Sequence, residues 1–292
     1  MRVLGIGLIA ACLSGLLPAR LLVPQQVVFK TGVDLVRVDA LVTIDGRPVA
    51  GLGPSDFEIL DEGVPQVVEM AYPVGPVDVI LVLDVSGSVR GERFEALVQS
   101  ARALLRELRQ NERLALVTFN DRVALRSSLT IDRDGVSRLL DAIVPGGNTA
   151  LNDAVFAGLS LANNEARSLL LLFSDGAENS SWLSAAQVIE AAKETDAVVC
   201  PVCVGAGTGT RSGRFLHGLA DGTGGRLFRA DSVGALRSSL PAVLTEFRSR
   251  YVIAYVPAGV PRDDRWHRIE IRVKGRRAEI TARRGYAARA PG

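Results

Sequence analysis

Asp84-Val85-Ser86-Gly87-Ser88 places one carboxylate and two hydroxyls within five residues of this 292-residue sequence. Gly146-Gly147-Asn148-Thr149 adds a third hydroxyl, and Phe173-Ser174-Asp175-Gly176 a second carboxylate. Oxygen donors of this kind suit hard divalent cations, and Mg²⁺ keeps several waters in a near-octahedral shell. Asp84, Ser86, Ser88, Thr149 and Asp175 are therefore candidate metal ligands. With only two carboxylates, partly acting through water, the ion would stay under-neutralised and would take a further anion. A plainer reading is also open: short polar residues at such places cap helices and close turns. Asn148-Thr149 could cap the next helix, and Asp153, in that helix's first turn, reads as an acid favoured by the helix dipole.

These residues need elements that bring them to one edge. From Val77 onward, short apolar runs alternate with helical stretches, the pattern of a parallel sheet covered on both faces. Strands are expected at Val77–Leu83, Leu114–Phe119, Val123–Leu129, Ser168–Phe173, Ala197–Val204 and Arg226–Arg229. Helices are expected from Arg93 to Leu108, Asp134 to Ile143, Ala150 to Ala162, Ala185 to Lys193, around Phe215 to Ala220, and from Val233 to Phe247. This is a doubly wound, mostly parallel α/β domain, and the candidate ligands fall on its carboxyl edge, where such sheets bind ligands.

Asp84, Ser86, Ser88, Thr149 and Asp175 resemble, in type, order and approximate spacing, the metal-ion-dependent adhesion site of von Willebrand factor A domains: D-x-S-x-S, then a Thr, then an Asp. The resemblance runs from about Val77 to Arg248 and includes Leu219-Ala220-Asp221-Gly222-Thr223-Gly224-Gly225. Gly51-Leu52-Gly53-Pro54-Ser55-Asp56-Phe57 and Arg283-Arg284-Gly285-Tyr286 look like an exported bacterial subgroup of that family. The resemblance implies a Rossmann-like fold, a bound Mg²⁺ (or Mn²⁺ or Ca²⁺), and a protein ligand presenting Asp or Glu.

The flanks differ in pattern. Val36, Val38, Ala40, Val42 and Ile44 alternate with mostly polar residues, as do His267, Ile269, Ile271 and Val273, and Asp45-Gly46 and Asp61-Glu62-Gly63 mark turns. Neither flank has core enough alone. The expected organisation is a leader over 1–22, an antiparallel β-sandwich-like domain built from 30–74 and 250–287, and the von Willebrand factor A-type domain, 75–249, inserted in it. Met1 to Pro18, with Arg2 ahead of an apolar run and no acid, reads as a signal peptide, so the protein is expected to be exported, periplasmic or extracellular, from a bacterium. Ile9-Ala10-Ala11-Cys12 also resembles a lipobox, an alternative in which Cys12 carries lipid. No stretch of the mature chain reads as a membrane span.

Balanced charge, 34 basic against 32 acidic residues, argues against a nucleic-acid partner. The composition also argues against an enzyme. A serine nucleophile needs a base, and the chain has only His217 and His267. Gly205-Ala206-Gly207-Thr208-Gly209 lacks the third glycine of a dinucleotide loop. Cys200 and Cys203, three apart on a strand, should face opposite sides and stay unpaired. The expected function is protein binding through a metal; a scaffold whose metal only fixes loops is the alternative, and a hydrolase the remaining one.

Overall fold

A computed structural model describes residues 35–72, 75–162, 166–204 and 210–288. The leader with Cys12, and the Gly205–Gly209 segment, lie outside the described residues. In the N-terminal flank the strands are β1 (Val36–Ile44), β2 (Arg47–Pro48), β3 (Phe57–Asp61), β4 (Val64–Gln66) and β5 (Met70–Tyr72). Asp45 and Gly46 have φ of 51° and 71°, Glu62 and Gly63 of 48° and 82°. Two successive positive φ values define the hairpin turns that Asp-Gly and its relatives favour, so both turn expectations follow directly from local chemistry.

The centre of the chain alternates strand and helix: β6 (Val77–Asp84), α1 (Glu92–Glu107), β7 (Arg113–Phe119), β8 (Val123–Thr130), α2 (Arg133–Asp141), α3 (Leu151–Leu159), β9 (Arg167–Ser174), α4 (Ala185–Lys193), β10 (Val198–Val204), α5 (Arg211–Thr223), β11 (Phe228–Ala230) and α6 (Val233–Arg248). The sheet order is β11-β10-β9-β6-β7-β8, and only the β7–β8 pair is antiparallel. β6 is the pivot. Val79, Leu81 and Leu83 point into one core with Leu97 and Leu104 of α1 and Leu240 and Leu244 of α6. Ile80 and Val82 point into the other, with Leu151 and Val155 of α3 and Leu216 of α5. A strand buried on both faces has no polar side to expose, which is why it reads as an unbroken apolar run. Each buried leucine contributes about 1.5–3 kcal/mol. After β6 the chain builds β7 and β8 on one side and, from β9, works outward on the other, so the crevice beyond the carboxyl end of β6 is the switch point.

Cys200 and Cys203 fall in opposite cores and are unpaired. α5 differs from its expected short form, running thirteen residues. Thr210 caps its start and Gly224, at φ 75°, ends it, while the glycines at 213, 218 and 222 weaken the propensity by which so long a helix would be recognised. α3 stops at Leu159, short of Ala162, and β11 is displaced to Phe228–Ala230.

The C-terminal flank supplies β12 (Tyr251–Tyr255), β13 (Trp266–Val273), β14 (Glu279–Thr281) and β15 (Gly285–Ala287). Both flanks contribute to both remaining sheets, β14-β1-β12-β5 with β2 on β1, and β15-β13-β3-β4. Every pairing in them is antiparallel. Val38, Phe57, Ile59, Tyr251, Ile253 and Ile269 from the two sheets share one apolar cluster. The Gly51–Phe57 segment is fixed there: Leu52 N–H donates to the Tyr251 hydroxyl at 3.1 Å, which donates to Val49 O at 2.9 Å, and the Phe57 and Tyr251 rings meet edge to face. Arg283 joins this flank to the α/β part, donating to Asp196 Oδ1 at 2.7 Å and Lys193 O at 2.9 Å.

Candidate functional site

Asp84 closes β6 and is wholly buried. Its Oδ1 accepts the Ser86 N–H at 2.9 Å, an Asx turn that bends the chain over the strand end. Its Oδ2 accepts the Ser174 hydroxyl at 2.8 Å from the end of the adjacent β9. The Ser86 and Ser88 hydroxyl oxygens lie 3.1 Å apart. Neither serves a cap: Ser86 precedes the short turn Gly87–Val89 without a side-chain bond to it, and α1 starts after Gly91.

Thr149 is buried and does not cap α3, whose N-cap is Ala150 with no side-chain bond. Its backbone is clamped instead. Thr149 N–H donates to Asn179 Oδ1 at 2.9 Å, and Thr149 O accepts from Asn179 and Ser180 N–H at 3.0 and 3.2 Å. The loop ahead of it is laced to the ends of β6 and β7 by Gly146 N–H to Val85 O (2.8 Å), Gly87 N–H to Gly147 O (3.0 Å) and Asn120 Nδ2 to Gly146 O (2.8 Å). Gly147 has φ 84°, and a Cβ there would stand 2.2 Å from Asp121 Oδ1, so both backbone and space require glycine. Asp175 is half-buried, and its Oδ1 accepts Ala177 N–H at 3.0 Å. Asp84, Ser86 and Ser88 thus form one bonded chain, Asp175 is near enough for its charge to bear on Asp84, and the Gly87–Gly147 bond brings the Thr149 loop alongside.

Burial pushes the Asp84 carboxyl above the usual aspartate value; the bonds from Ser86 and Ser174 pull it down, and the charge of Asp175 adds to the rise. The other buried acids have basic partners. Asp78 takes both forks of Arg113 at 2.8 and 2.6 Å, Glu112 is paired with Arg248, and Asp61 stands 3.4 Å from His267. Among the described residues neither Asp84 nor Asp175 has a basic partner, and no three His, Cys, Asp or Glu side chains cluster. A buried carboxylate that feels the charge of a second one, with two hydroxyls beside it, is a set of oxygen donors of the kind divalent cations take.

The supporting residues are absent from the sequence motif. Glu178 accepts from Asn152 N–H (2.9 Å), Ser180 N–H (3.1 Å), Ser181 N–H (2.9 Å) and the Ser181 hydroxyl (2.7 Å). Asp153, expected as a dipole-favoured acid, also accepts from Trp182 and Leu183 N–H at 3.0 and 2.9 Å. Together they pin the 178–183 loop on the first turn of α3, with the Trp182 side chain 97% exposed at its crest. The dense run of Asp, Glu, Asn and Ser between β9 and α4 is the only sequence signal for this. His217 lies beside Asp221 on α5 and His267 in the flanking sheet, so neither is bonded to Ser86 or Ser88.

Residues 79–178 match the model of the von Willebrand factor type A domain. The match covers about a third of the chain, and the α/β part has the fold of such a domain. Among curated proteins, inter-alpha-trypsin inhibitor heavy chain H2 of Mus musculus is 29% identical over 115 residues, 35% of this chain and 12% of that one. The E3 ubiquitin-protein ligase WAVH1 of Arabidopsis thaliana is 34% identical over 95 residues, 31% of this chain and 14% of the ligase. The match therefore spans a small part of these relatives' length. Of solved structures, a von Willebrand factor type A protein from Catenulispora acidiphila aligns with a TM-score of 0.54 at 11% identity, over 90% of this chain and 78% of that one. Proximal thread matrix protein 1 from the mussel byssus, with a zinc-occupied metal-ion-dependent adhesion site, gives 0.53 at 19%, over 62% and 48%. At these identities the structural likeness is one of fold.

Proposed function

We propose that this chain is an exported, metal-dependent protein-binding module and not an enzyme. In this reading Asp84, Ser86, Ser88, Thr149 and Asp175 hold one divalent cation, Mg²⁺ with Mn²⁺ or Ca²⁺ as substitutes, and a partner's Asp or Glu completes its shell. The observation that carries the reading is Asp84, wholly buried and, unlike Asp61, Asp78 and Glu112, without a basic partner among the described residues. When bound, the cation supplies a Lewis-acidic position open to a carboxylate. Ser174 and the Ser86 amide orient the Asp84 carboxylate, and Asn179 fixes the Thr149 backbone. The mussel protein's occupied site supports the choice of a divalent cation. Export rests on the Met1–Pro18 leader; no helix of the described residues is long and apolar enough to cross a membrane. We read the two flanking sheets as one sandwich over 30–74 and 250–287, with the 75–249 domain inserted.

In the alternative the metal only fixes loops. The loops are already tied by Gly146 to Val85, Gly87 to Gly147 and Asn179 to Thr149, all metal-independent bonds, which makes loop fixing redundant. Calorimetric titration of the metal-stripped protein with Mg²⁺ and Mn²⁺ should give saturable binding that Ser86→Ala and Asp175→Ala, both folded, lose by about tenfold or more; unchanged binding in both variants contradicts the reading. Acetate should then bind the Mg²⁺-loaded protein and be released by chelator; an indifferent protein would leave the metal as structure.

A further inference from the structure

Trp182 is one of two tryptophans in the chain, and at 97% exposure almost nothing in the fold touches its side chain. The other, Trp266, is partly covered, with the Lys193 ammonium and the Arg283 guanidinium 5.7 and 5.8 Å from its ring centre. An indole is ordinarily buried over most of its surface, so one left wholly in water contributes nothing to folding.

The backbone beneath that indole is nevertheless fixed. Every N–H from Ser180 to Leu183 is taken by a carboxylate: Glu178 holds Ser180 and Ser181 at 3.1 and 2.9 Å, and Asp153 holds Trp182 and Leu183 at 3.0 and 2.9 Å. The Ser181 hydroxyl ties back to both acids, donating to Glu178 Oε2 at 2.7 Å and accepting Asp153 N–H at 3.2 Å. A side chain presented from so constrained a loop loses little freedom when something binds it, which is how rigid aromatic anchors work at interfaces.

The crest also adjoins the candidate metal site. Asn179 and Ser180 N–H donate to Thr149 O at 3.0 and 3.2 Å, and Trp182 is only two residues, at most about 7 Å of chain, beyond Ser180. Arg90, two residues after the exposed Ser88, is itself exposed and donates to Pro145 O at 3.1 Å in the loop that leads to Thr149.

We infer that Trp182 is the specificity anchor beside the candidate metal site, and that the partner is a peptide segment with a large apolar side chain, aromatic by preference, a few residues from the Asp or Glu that reaches the cation. The inference rests on the carboxylate-capture reading above. A wholly acidic segment would leave the indole in water, and an apolar segment without an acid would leave the cation unanswered. A Lys or Arg of the partner also stacks on an indole, but here it would approach a surface already carrying a divalent cation and Arg90. Aromatic pairs favour offset or edge-to-face contact beyond the area they bury, which puts Phe ahead of Leu as the occupant.

The probes are blocked peptides with one Asp and one Phe separated by zero to three glycines, the same peptides with Gly in place of Phe, and the same with Lys. Each is titrated calorimetrically into the Mg²⁺-loaded full chain. The best-spaced Phe peptide should bind about two- to tenfold more tightly than its Gly counterpart, the range of one aromatic contact, and the Lys peptide should show no gain. Trp182→Ala should erase the gain while the Gly peptide and Mg²⁺ bind as in the wild type; Trp182→Phe should restore part of it. If the Gly peptide binds but Phe adds nothing at any spacing, or the gain survives in Trp182→Ala, or Lys gains as much as Phe, the inference is overturned and carboxylate capture stands. If no peptide binds although Mg²⁺ does, capture itself fails, and the inference with it.

Discussion

Asp84 and Asp61 are both aspartates at strand ends, both wholly buried, and each receives two hydrogen bonds, yet their surroundings are opposite. Asp61 has His267 and, through it, Asp263, so its charge is answered from within the fold. Asp84 feels the charge of Asp175 and sits beside the Ser86 and Ser88 hydroxyls. A buried charge without a partner is expensive, and a fold that pairs Asp78 and Glu112 with arginines has the means to avoid it. In the proposed reading, that difference is why Asp84 would be answered from outside, by a cation. It also teaches that burial alone does not identify a site; the missing counter-charge does.

The comparison can be broken by substitutions, beginning with the largest effect. Arg248→Met should cost about 3 kcal/mol in urea unfolding, because it strands the buried Glu112 carboxylate; a loss below about 1 kcal/mol would mean that paired acids are no more dependent on their partners than Asp84 is. Next, Ser174→Ala should cost about 1–2 kcal/mol by removing one of the two donors to Asp84, and the loss should shrink in Mg²⁺. Asp84→Asn should stabilise the metal-free protein by about 1 kcal/mol, since it removes an uncompensated charge while an amide can still bond to Ser86 and Ser174. The smallest effect is expected at the crest of the 178–183 loop: Trp182→Ala should leave both unfolding and Mg²⁺ affinity within about 0.5 kcal/mol of wild type, its side chain being almost fully exposed.

The strands and the D-x-S-x-S segment were legible in the sequence because each rests on a local rule: an apolar run buried on two faces, Asp-Gly hairpins, and a D-x-S-x-S after a strand all lie within a few neighbouring residues. Thr149 and Asp175 became candidates for the same site only through the family resemblance, since neither neighbours that segment in sequence. What holds the candidate residues in place was not legible. Ser174 reaches Asp84 across 90 residues, Glu178 and Asn179 grip the α3 start from the following loop, and Asn120 holds Gly146 from another strand end. The Asp61 cluster, with Tyr255, His267 and Tyr286, draws on four separate strands and the loop carrying Asp263. Glycine-rich α5 was underestimated because propensity fails where packing and end caps decide.

The central claim, that Asp84 is kept for an external cation, predicts a pH dependence of definite sign. Its carboxyl is raised when folded, so the metal-free fold binds that proton more tightly than the unfolded chain and loses stability as pH rises through the folded titration. A cation reverses this by favouring the ionised form. Thermal unfolding of the wild type and Asp84→Asn, with and without Mg²⁺ across that pH range, is the direct test. The account predicts a Mg²⁺ stabilisation that grows with pH in the wild type and is absent in Asp84→Asn. Equal Mg²⁺ effects in the two proteins, or an Asp84→Asn variant as destabilised as Arg248→Met, would contradict it.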